Sequence, residues 1–142
     1  MATEAEPFEI TVQVLPGDVE DGMDHVNNIV YVRWVQEVAL AHWFAVAPAQ
    51  AQASMTWVVL RHEIDYLRPA RPGDVLRART WIGQAQALRY ERHTTIVRED
   101  GMLLARARTL WCPVDLATGR PRRVPAEVRT AFSVTEDRRG EP

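Results

Sequence analysis

Residues 28–46 read NIVYVRWVQEVALAHWFAV, and this stretch decides the fold. Apolar side chains such as Ile29 and Trp34 recur at helical spacing and lie on nearly all sides of the predicted helix. Asn27 or Asn28 can cap its start, because a short side-chain oxygen accepts from free backbone N–H groups. A helix that is apolar on nearly all sides is buried on most of them. In a small protein, one such helix predicts a sheet wrapped around it.

Segments on both sides of this helix alternate apolar and polar residues, which is typical of half-buried strands. Pro48 ends the helix, and residues 49–55 are predicted to form a loop. Five strands are predicted, bounded by Pro and Gly signals, at residues 8–15, 57–68, 74–82, 88–98 and 102–114. We expect the last four to form an antiparallel meander, followed by a short helix over residues 124–132. The sequence therefore predicts an α+β fold, with an antiparallel five-stranded sheet wrapped around one long central helix.

The length and composition are those of one ordinary globular domain. The chain has 142 residues, of which 46% are hydrophobic and 25% charged, and its formal net charge is −2. We expect a single domain over residues 1–142, with its core at about 8–132 and a frayed polar tail at about 133–142. The nearly balanced charge creates no field that would select nucleic acid or a membrane as a partner.

Three features indicate a cytoplasmic protein. The segment from Met1 to Pro7 is acidic and has no apolar core, unlike a signal peptide. Residues 38–60 carry no Asp, Glu, Lys or Arg, but Pro48 and several polar residues interrupt them, so they are not expected to span a membrane. Cys112 is the only cysteine, which excludes an intrachain disulfide.

Several common catalytic motifs are missing from the sequence. The only serines are Ser54 and Ser133, and neither lies in the Gly-x-Ser-x-Gly motif of α/β-hydrolases. There is no glycine-rich phosphate loop, and the four histidines are scattered without the spacing of metal ligands. We therefore expect neither a metal nor a cofactor.

A carboxylate-rich loop, DVEDGMDHVNNIVYVRW over residues 18–34, runs into the start of the helix. It resembles the Asp-x-Asp-x-x-x-His-Val-Asn-Asn signature of hotdog thioesterases of the 4-hydroxybenzoyl-CoA thioesterase type, and it is also similar to a run in plant acyl-ACP thioesterases. A second stretch, EIDYLRPARPGD over residues 63–74, is similar to the second strand of that family and the turn into the third. The order of one strand, one helix and four strands over residues 8–114 also matches, so the resemblance covers most of the chain.

The resemblance implies a hotdog fold and a thioesterase activity. The expected substrate is an acyl- or aryl-CoA, or an acyl carrier protein thioester, which is hydrolysed to a free acid and a thiol. CoA would then be part of the substrate. In this family two protomers pair to extend the sheet and the sites lie at that interface, so we expect a homodimer or homotetramer.

The resemblance also implies three catalytic residues. Asp21 aligns with the catalytic carboxylate of the family, which acts either as a nucleophile on the thioester or as a general base toward water. Asn28 aligns with the residue whose backbone N–H, at the helix start, polarises the thioester carbonyl. His25 aligns with a histidine to which the plant enzymes assign a catalytic part, so it would orient water or substrate. Packing at the dimer interface is the alternative for His25.

Four residues are predicted to bind substrate: Asn27, Tyr31, Arg68 and Arg71. Asn27 also fits a helix cap, and Tyr31 also fits core packing. An arginine suits the phosphates of CoA because its guanidinium binds them in a bidentate manner. Further candidates for phosphate contacts are Arg89, Arg120, Arg122 and Arg123.

The loop departs from the family pattern at three positions. Val19 stands where many relatives have the first Asp of Asp-x-Asp, and Asp24 stands where many have Gly. Met23 replaces the Asn that the plant enzymes have at this position, so their complete mechanism is not expected to apply to this protein.

Two rival functions remain open at the level of sequence. A hotdog dehydratase or hydratase would act on an acyl thioester without releasing the thiol, through a histidine and a carboxylate placed across the site. A non-catalytic acyl-CoA-binding protein has the same fold, since fold alone does not determine function.

Overall fold

The computed structural model describes residues 7–20 and 22–136. Its helices are α1 (Asn28–Val46), α2 (Ala49–Ser54) and α3 (Ala126–Ala131), and a 3-10 turn spans Pro16–Asp18. Its strands are β1 (Phe8–Gln13), β2 (Met55–Tyr66), β3 (Val75–Gln86), β4 (Arg89–Arg98) and β5 (Leu103–Asp115). The strands form one antiparallel sheet in the order β1-β3-β4-β5-β2, with α1 packed against it. The predicted α+β fold class is confirmed.

Helix α1 is buried along one side only. Its buried side chains recur every three or four residues: Val30, Tyr31, Trp34, Val35, Val38, Ala39 and Trp43. Ile29, Leu40 and Phe44, in contrast, are 74%, 48% and 62% exposed. The expectation of burial on nearly all sides is wrong within the protomer, because a single sheet layer covers only the side of a helix that faces it.

The position of β2 differs from the predicted meander. Strands β3, β4 and β5 do follow one another in the sheet, but β2 pairs with β5 at the edge opposite β1. The chain leaves β2 at Tyr66 and crosses the sheet before β3, with Leu67 and Arg68 both donating to the Leu104 carbonyl at 2.8 and 3.0 Å. Turn signals specify where a strand ends but not which distant strand it joins, so local sequence could not predict this order.

The segment after α1 is also more ordered than predicted. Residues 49–54 form helix α2 rather than a loop, with Pro48 at its N-cap position. The sequence AQAQAS is rich in alanine and glutamine, which are strong helix formers, and Pro favours a helix start.

Two apolar clusters divide the core along α1. The first surrounds Trp34 and Val38 and includes Leu76 and Leu104 from the sheet. The second surrounds Trp43 and includes α3, and Tyr90 donates there to the carboxylate of Glu136 at 3.0 Å. Within the part of the chain that the structure describes, no helix combines the length and apolarity needed to cross a membrane.

Candidate active site

The loop before α1 is tied to the rest of the molecule at both ends. Val19 and Val26 form an antiparallel bridge, and the Asn27 N–H donates to the Asp18 carbonyl at 3.1 Å. The Val26 N–H donates to the Ala70 carbonyl at 2.9 Å, which joins the loop to the segment after β2. The start of α1 therefore sits in a fixed place beside the β2–β3 crossing.

Asp18 is a structural residue of this loop. Its carboxylate is buried, and it accepts from the Leu15 N–H at 2.9 Å and from Arg33 of α1 at 2.8 Å. Burial opposes ionisation, but the Leu15 N–H and the Arg33 guanidinium outweigh it and hold the pKa of Asp18 below its usual value. Asp18 is thus an ionised link between the loop and the helix.

The first turn of α1 presents a free donor. The Asn27 side chain accepts from the Ile29 N–H at 3.0 Å and donates to Glu20. The backbone carbonyl of Asn27 accepts from the Val30 N–H at 3.0 Å. The N–H of Asn28 has no acceptor within residues 7–20 and 22–136. A free N–H at a helix start, together with the helix dipole, stabilises negative charge on a nearby oxygen.

A cavity of about 190 Å³ lies at this helix start. Its lining comes from the loop, from α1 and from the segment that follows β2: His25, Val26, Asn28, Tyr31, Tyr66, Leu67, Arg68 and Pro69. Tyr66 donates to the Asn28 carbonyl at 3.3 Å, and the hydroxyl of buried Tyr31 accepts from the Ala70 N–H at 2.8 Å. The two tyrosine rings meet edge to face at 5.3 Å, so together they form one wall of the cavity.

His25 and Arg71 are linked through Asp24. One Asp24 oxygen lies 3.2 Å from the His25 Nδ1, and the other accepts from Arg71 at 2.8 Å. The hydrogen bond with His25 and, to a smaller extent, the one with Arg71 lower the pKa of Asp24. Because Asp24 carries a negative charge, it orients the His25 ring with its Nδ1 toward the carboxylate and its Nε2 away from it.

The structure brings together most of the residues that the sequence predicted. His25, Asn28, Tyr31 and Arg68 line the cavity. Asn27 caps α1 and Arg71 contacts Asp24, and neither is part of the lining. Asp21, the predicted catalytic carboxylate, lies outside the described residues.

Sequence reasoning did not single out Tyr66 and Leu67 as site residues. Both lie at the end of β2 and reach the cavity only because β2 ends beside the start of α1. The one available signal was their place within the second motif of residues 63–74. Since the motif names no side-chain role there, only the tertiary structure identifies them.

The other candidate arginines lie at the opposite end of the sheet. The Arg68 N–H donates to Leu104 near the start of β5, whereas the Arg122 N–H donates to Pro113 near its end. The two acceptors are nine residue steps apart along the strand, which is at most about 30 Å. Within one protomer, Arg122 and its neighbours Arg120 and Arg123 therefore lie far along the sheet from the cavity at the helix start.

Removing the helix cap has a predictable cost. Asn27→Ala deletes the acceptor for the Ile29 N–H and the contact with Glu20. We expect a loss of about 1 kcal/mol in the free energy of unfolding, measured by urea denaturation. Asn27→Ser keeps a capping oxygen and brings no charge next to Glu20, so it is expected to retain most of that stability. Equal losses in both variants would mean that the cap contributes nothing.

Comparison with known proteins agrees with this architecture. The sequence model of the thioesterase-like superfamily matches residues 14–132. The chloroplastic palmitoyl-acyl carrier protein thioesterase of Gossypium hirsutum is 26% identical over 112 residues, which are 78% of this chain and 27% of that protein. The chain thus spans about a quarter of the length of this curated relative.

Solved structures share the fold. A protein from Staphylococcus aureus, solved in complex with CoA, superposes with a TM-score of 0.82 at 19% identity, covering 94% of this chain and 85% of that one. A 1,4-dihydroxy-2-naphthoyl-CoA thioesterase from Synechocystis superposes with a TM-score of 0.75 at 24% identity, covering 89% of this chain and 96% of that one. The match to the superfamily covers well over half of the sequence, and the chain belongs to the thioesterase-like superfamily, with a hotdog fold.

Proposed function

We propose that the protein hydrolyses an acyl- or aryl-thioester, of CoA or of an acyl carrier protein, to the free acid and the thiol. The observation that carries the proposal is the N–H of Asn28 at the start of α1, which has no acceptor among the described residues and lies beside a cavity that His25 also lines. Superfamily membership and the thioesterases among the structural neighbours support the same reaction.

The proposed reaction uses the helix start to stabilise charge. The thioester carbonyl accepts from the Asn28 N–H, so negative charge that develops on its oxygen meets a fixed donor and the positive end of the helix dipole. Asp21 either attacks the carbonyl carbon, forming an anhydride that water then hydrolyses, or takes a proton from the attacking water. In both routes the C–S bond breaks, and the sulfur leaves as a thiolate that is protonated to the thiol.

His25 and Arg68 have supporting roles in this proposal. His25, oriented by Asp24, positions water or substrate in the cavity. Arg68 is exposed and lies on the lining, so it is available to a phosphate group of CoA at the mouth. The CoA in the Staphylococcus aureus structure supports a CoA thioester as the substrate.

We further propose that two copies pair through the free edge of β2. This strand has 12 residues and pairs with β5 along one edge, and no described segment covers the other edge. Val58 and Leu60 on β2 are 43% and 50% exposed. A long unpaired edge with exposed apolar side chains invites aggregation unless a partner covers it. A twofold pair of copies covers it with a closed symmetry.

A matched pair of variants at Asn28 tests the role of the backbone. Asn28→Pro removes the N–H but keeps a residue that suits the first position of a helix, and Asn27 already has the extended backbone that precedes a proline. We expect a loss in kcat of about 10²- to 10³-fold, because one oxyanion donor is worth about that much. Asn28→Ala keeps the N–H, so it is expected to retain most of the activity.

The assay is thiol release from a panel of acyl- and aryl-CoAs, detected with a thiol-reactive dye. Retained activity in a folded Asn28→Pro protein, or total loss in Asn28→Ala, would contradict the backbone role. Hydration of crotonyl-CoA without thiol release would instead identify a hydratase. Tight acyl-CoA binding without any turnover would indicate a binding protein.

A further inference from the structure

A second cavity lies between the C-terminal half of α1 and the sheet, away from the helix start. Four aromatic rings line it, those of Trp43, Trp57, Tyr90 and Trp111, and exposed Leu40 lies on its rim. The cavity has a volume of about 30 Å³, roughly that of one water molecule, and a smaller cavity continues toward α3. A larger group would enter by displacing side chains such as Leu40.

Arg92 forms part of the wall of this cavity without a carboxylate partner. It is only 8% exposed, and its Nη1 donates to the His42 Nδ1 at 2.9 Å and to the Thr80 hydroxyl at 3.0 Å. No carboxylate among the described residues forms an ion pair with it. Burial lowers the pKa of Arg92 to about 10. The pKa of His42 is lowered to about 4, mainly by burial and to a smaller extent by the charge of Arg92. At neutral pH the site therefore holds one buried positive charge beside a neutral histidine.

A second polar group of the lining, unlike Arg92, has no acceptor at all among the described residues. The Trp111 indole N–H is buried and has no hydrogen-bond partner within the described residues. The Tyr90 hydroxyl, by contrast, already donates to Glu136. Buried donors without acceptors are costly, and an unpaired buried charge is costlier still. The lining is thus complementary to an apolar group that ends in an oxygen anion.

We propose that this cavity binds the far end of the acyl group of the substrate, and that this end carries a carboxylate which accepts from Arg92 and Trp111. The inference rests on the proposed thioester hydrolysis and deepens it by naming the substrate class, an ω-carboxyacyl thioester. The aromatic rings contact the apolar body of the acyl group, and Arg92 neutralises its terminal charge.

The acyl group reaches the cavity from the partner subunit. Within one protomer, Trp34 and Val38 are 1% and 0% exposed and fill the space between the helix start and the cavity. Strand β2 ends at Tyr66 beside the helix start and carries Trp57 near its beginning, on the cavity wall. In a twofold pair, the β2 strands of the two copies run antiparallel, so the end of each β2 lies beside the beginning of the other. The helix start of each copy then lies near the aromatic cavity of the other.

The test compares thiol release from ω-carboxyacyl-CoAs and alkyl-CoAs of equal length in the full-length protein. We expect wild type to prefer the ω-carboxy substrates in kcat/KM by about 10- to 100-fold, the range of a charge-assisted hydrogen bond. Arg92→Met is expected to abolish this preference while the alkyl substrates are still cleaved. Arg92→Lys keeps the positive charge and is expected to retain part of the preference for ω-carboxy substrates. Arg106→Met, an exposed arginine on β5 paired with Asp65, serves as the matched control.

A binding measurement separates this inference from the proposed function. Free dicarboxylic acids are titrated against tryptophan fluorescence, with monocarboxylates of equal length as the reference. One outcome is that dicarboxylates quench the fluorescence of wild type saturably, that Arg92→Met abolishes this quenching, and that no substrate releases thiol. That outcome would overturn the proposed function and support carboxylate binding in the cavity. Thiol release with no preference for a terminal carboxylate in wild type would overturn the cavity assignment alone.

A variant at the rim of the cavity tests the same inference if the Arg92→Met protein does not fold. Leu40→Trp fills the entrance from the exposed side of α1 and leaves Arg92 in place. We expect it to abolish the ω-carboxy preference and the dicarboxylate quenching together. If both persist in a folded Leu40→Trp protein, the ligand does not enter this cavity and the inference fails.

Discussion

Asp21→Asn is expected to lower kcat/KM for thiol release by ~10³-fold or more, without unfolding the protein. Asparagine keeps the size of the side chain but can neither take a proton nor attack a carbonyl carbon at neutral pH. General-base catalysis alone is worth about 10²- to 10⁴-fold, and loss of a nucleophile costs at least as much. The measurement is thiol release by wild type and variant on the best substrate of the CoA panel.

The control for Asp21→Asn is Asp65→Asn, which neutralises an exposed carboxylate on β2 that pairs with Arg106. We expect its activity to stay within about twofold of wild type, because surface ion pairs contribute little energy. Circular dichroism confirms that both variants are folded. Equal rates for wild type and Asp21→Asn would remove Asp21 from the mechanism and direct attention to His25.

Trp34→Ala is expected to lower the free energy of unfolding by about 3–5 kcal/mol. Trp34 is 1% exposed and stands at the centre of the first apolar cluster, where its ring meets that of Tyr31 edge to face at 5.1 Å. Alanine would leave a cavity that the helix and the sheet cannot close, because each is held by its own backbone hydrogen bonds. Urea denaturation monitored by circular dichroism measures the loss.

Gln36→Ala provides the reference for that measurement. Gln36 lies two residues further along α1 and is exposed, so we expect a change within about 0.5 kcal/mol. A Trp34→Ala protein as stable as the Gln36→Ala protein would show that the space between α1 and the sheet is not packed as described.

Local patterns in the sequence were sufficient for the elements that carry the candidate site. The apolar spacing of residues 28–46 and a cap at Asn27 or Asn28 predict helix α1 correctly, and the structure has Asn27 as the cap. Both signals act within a few residues along the chain. The run from His25 to Asn28 places its residues at the helix start for the same reason. His25 and Asn28 line one cavity because a loop and the helix that follows it are necessarily adjacent.

Contacts between distant segments were not predictable in this way. Strand β2 joins β5 rather than β3, and this pairing is what brings Tyr66 to the start of α1. Alternating apolar and polar residues specify a strand and its buried face, but not its neighbours in the sheet. The exposed side of α1 has a different cause, since α1 packs against only one face of the finished sheet.

By itself, the sequence determined the class of fold, the bounds of α1, the choice of Asn27 or Asn28 as its cap, and the loop that carries the predicted catalytic carboxylate. The tertiary structure alone decided the edge position of β2, the part of Tyr66 in the first cavity and the burial of Arg92 in the second. Helix propensity, capping and turn chemistry act between near neighbours in the chain, so they can be identified in sequence. The burial of a charge such as Arg92 is the sum of contacts from α1, β3 and β4, which come together only when the sheet has formed.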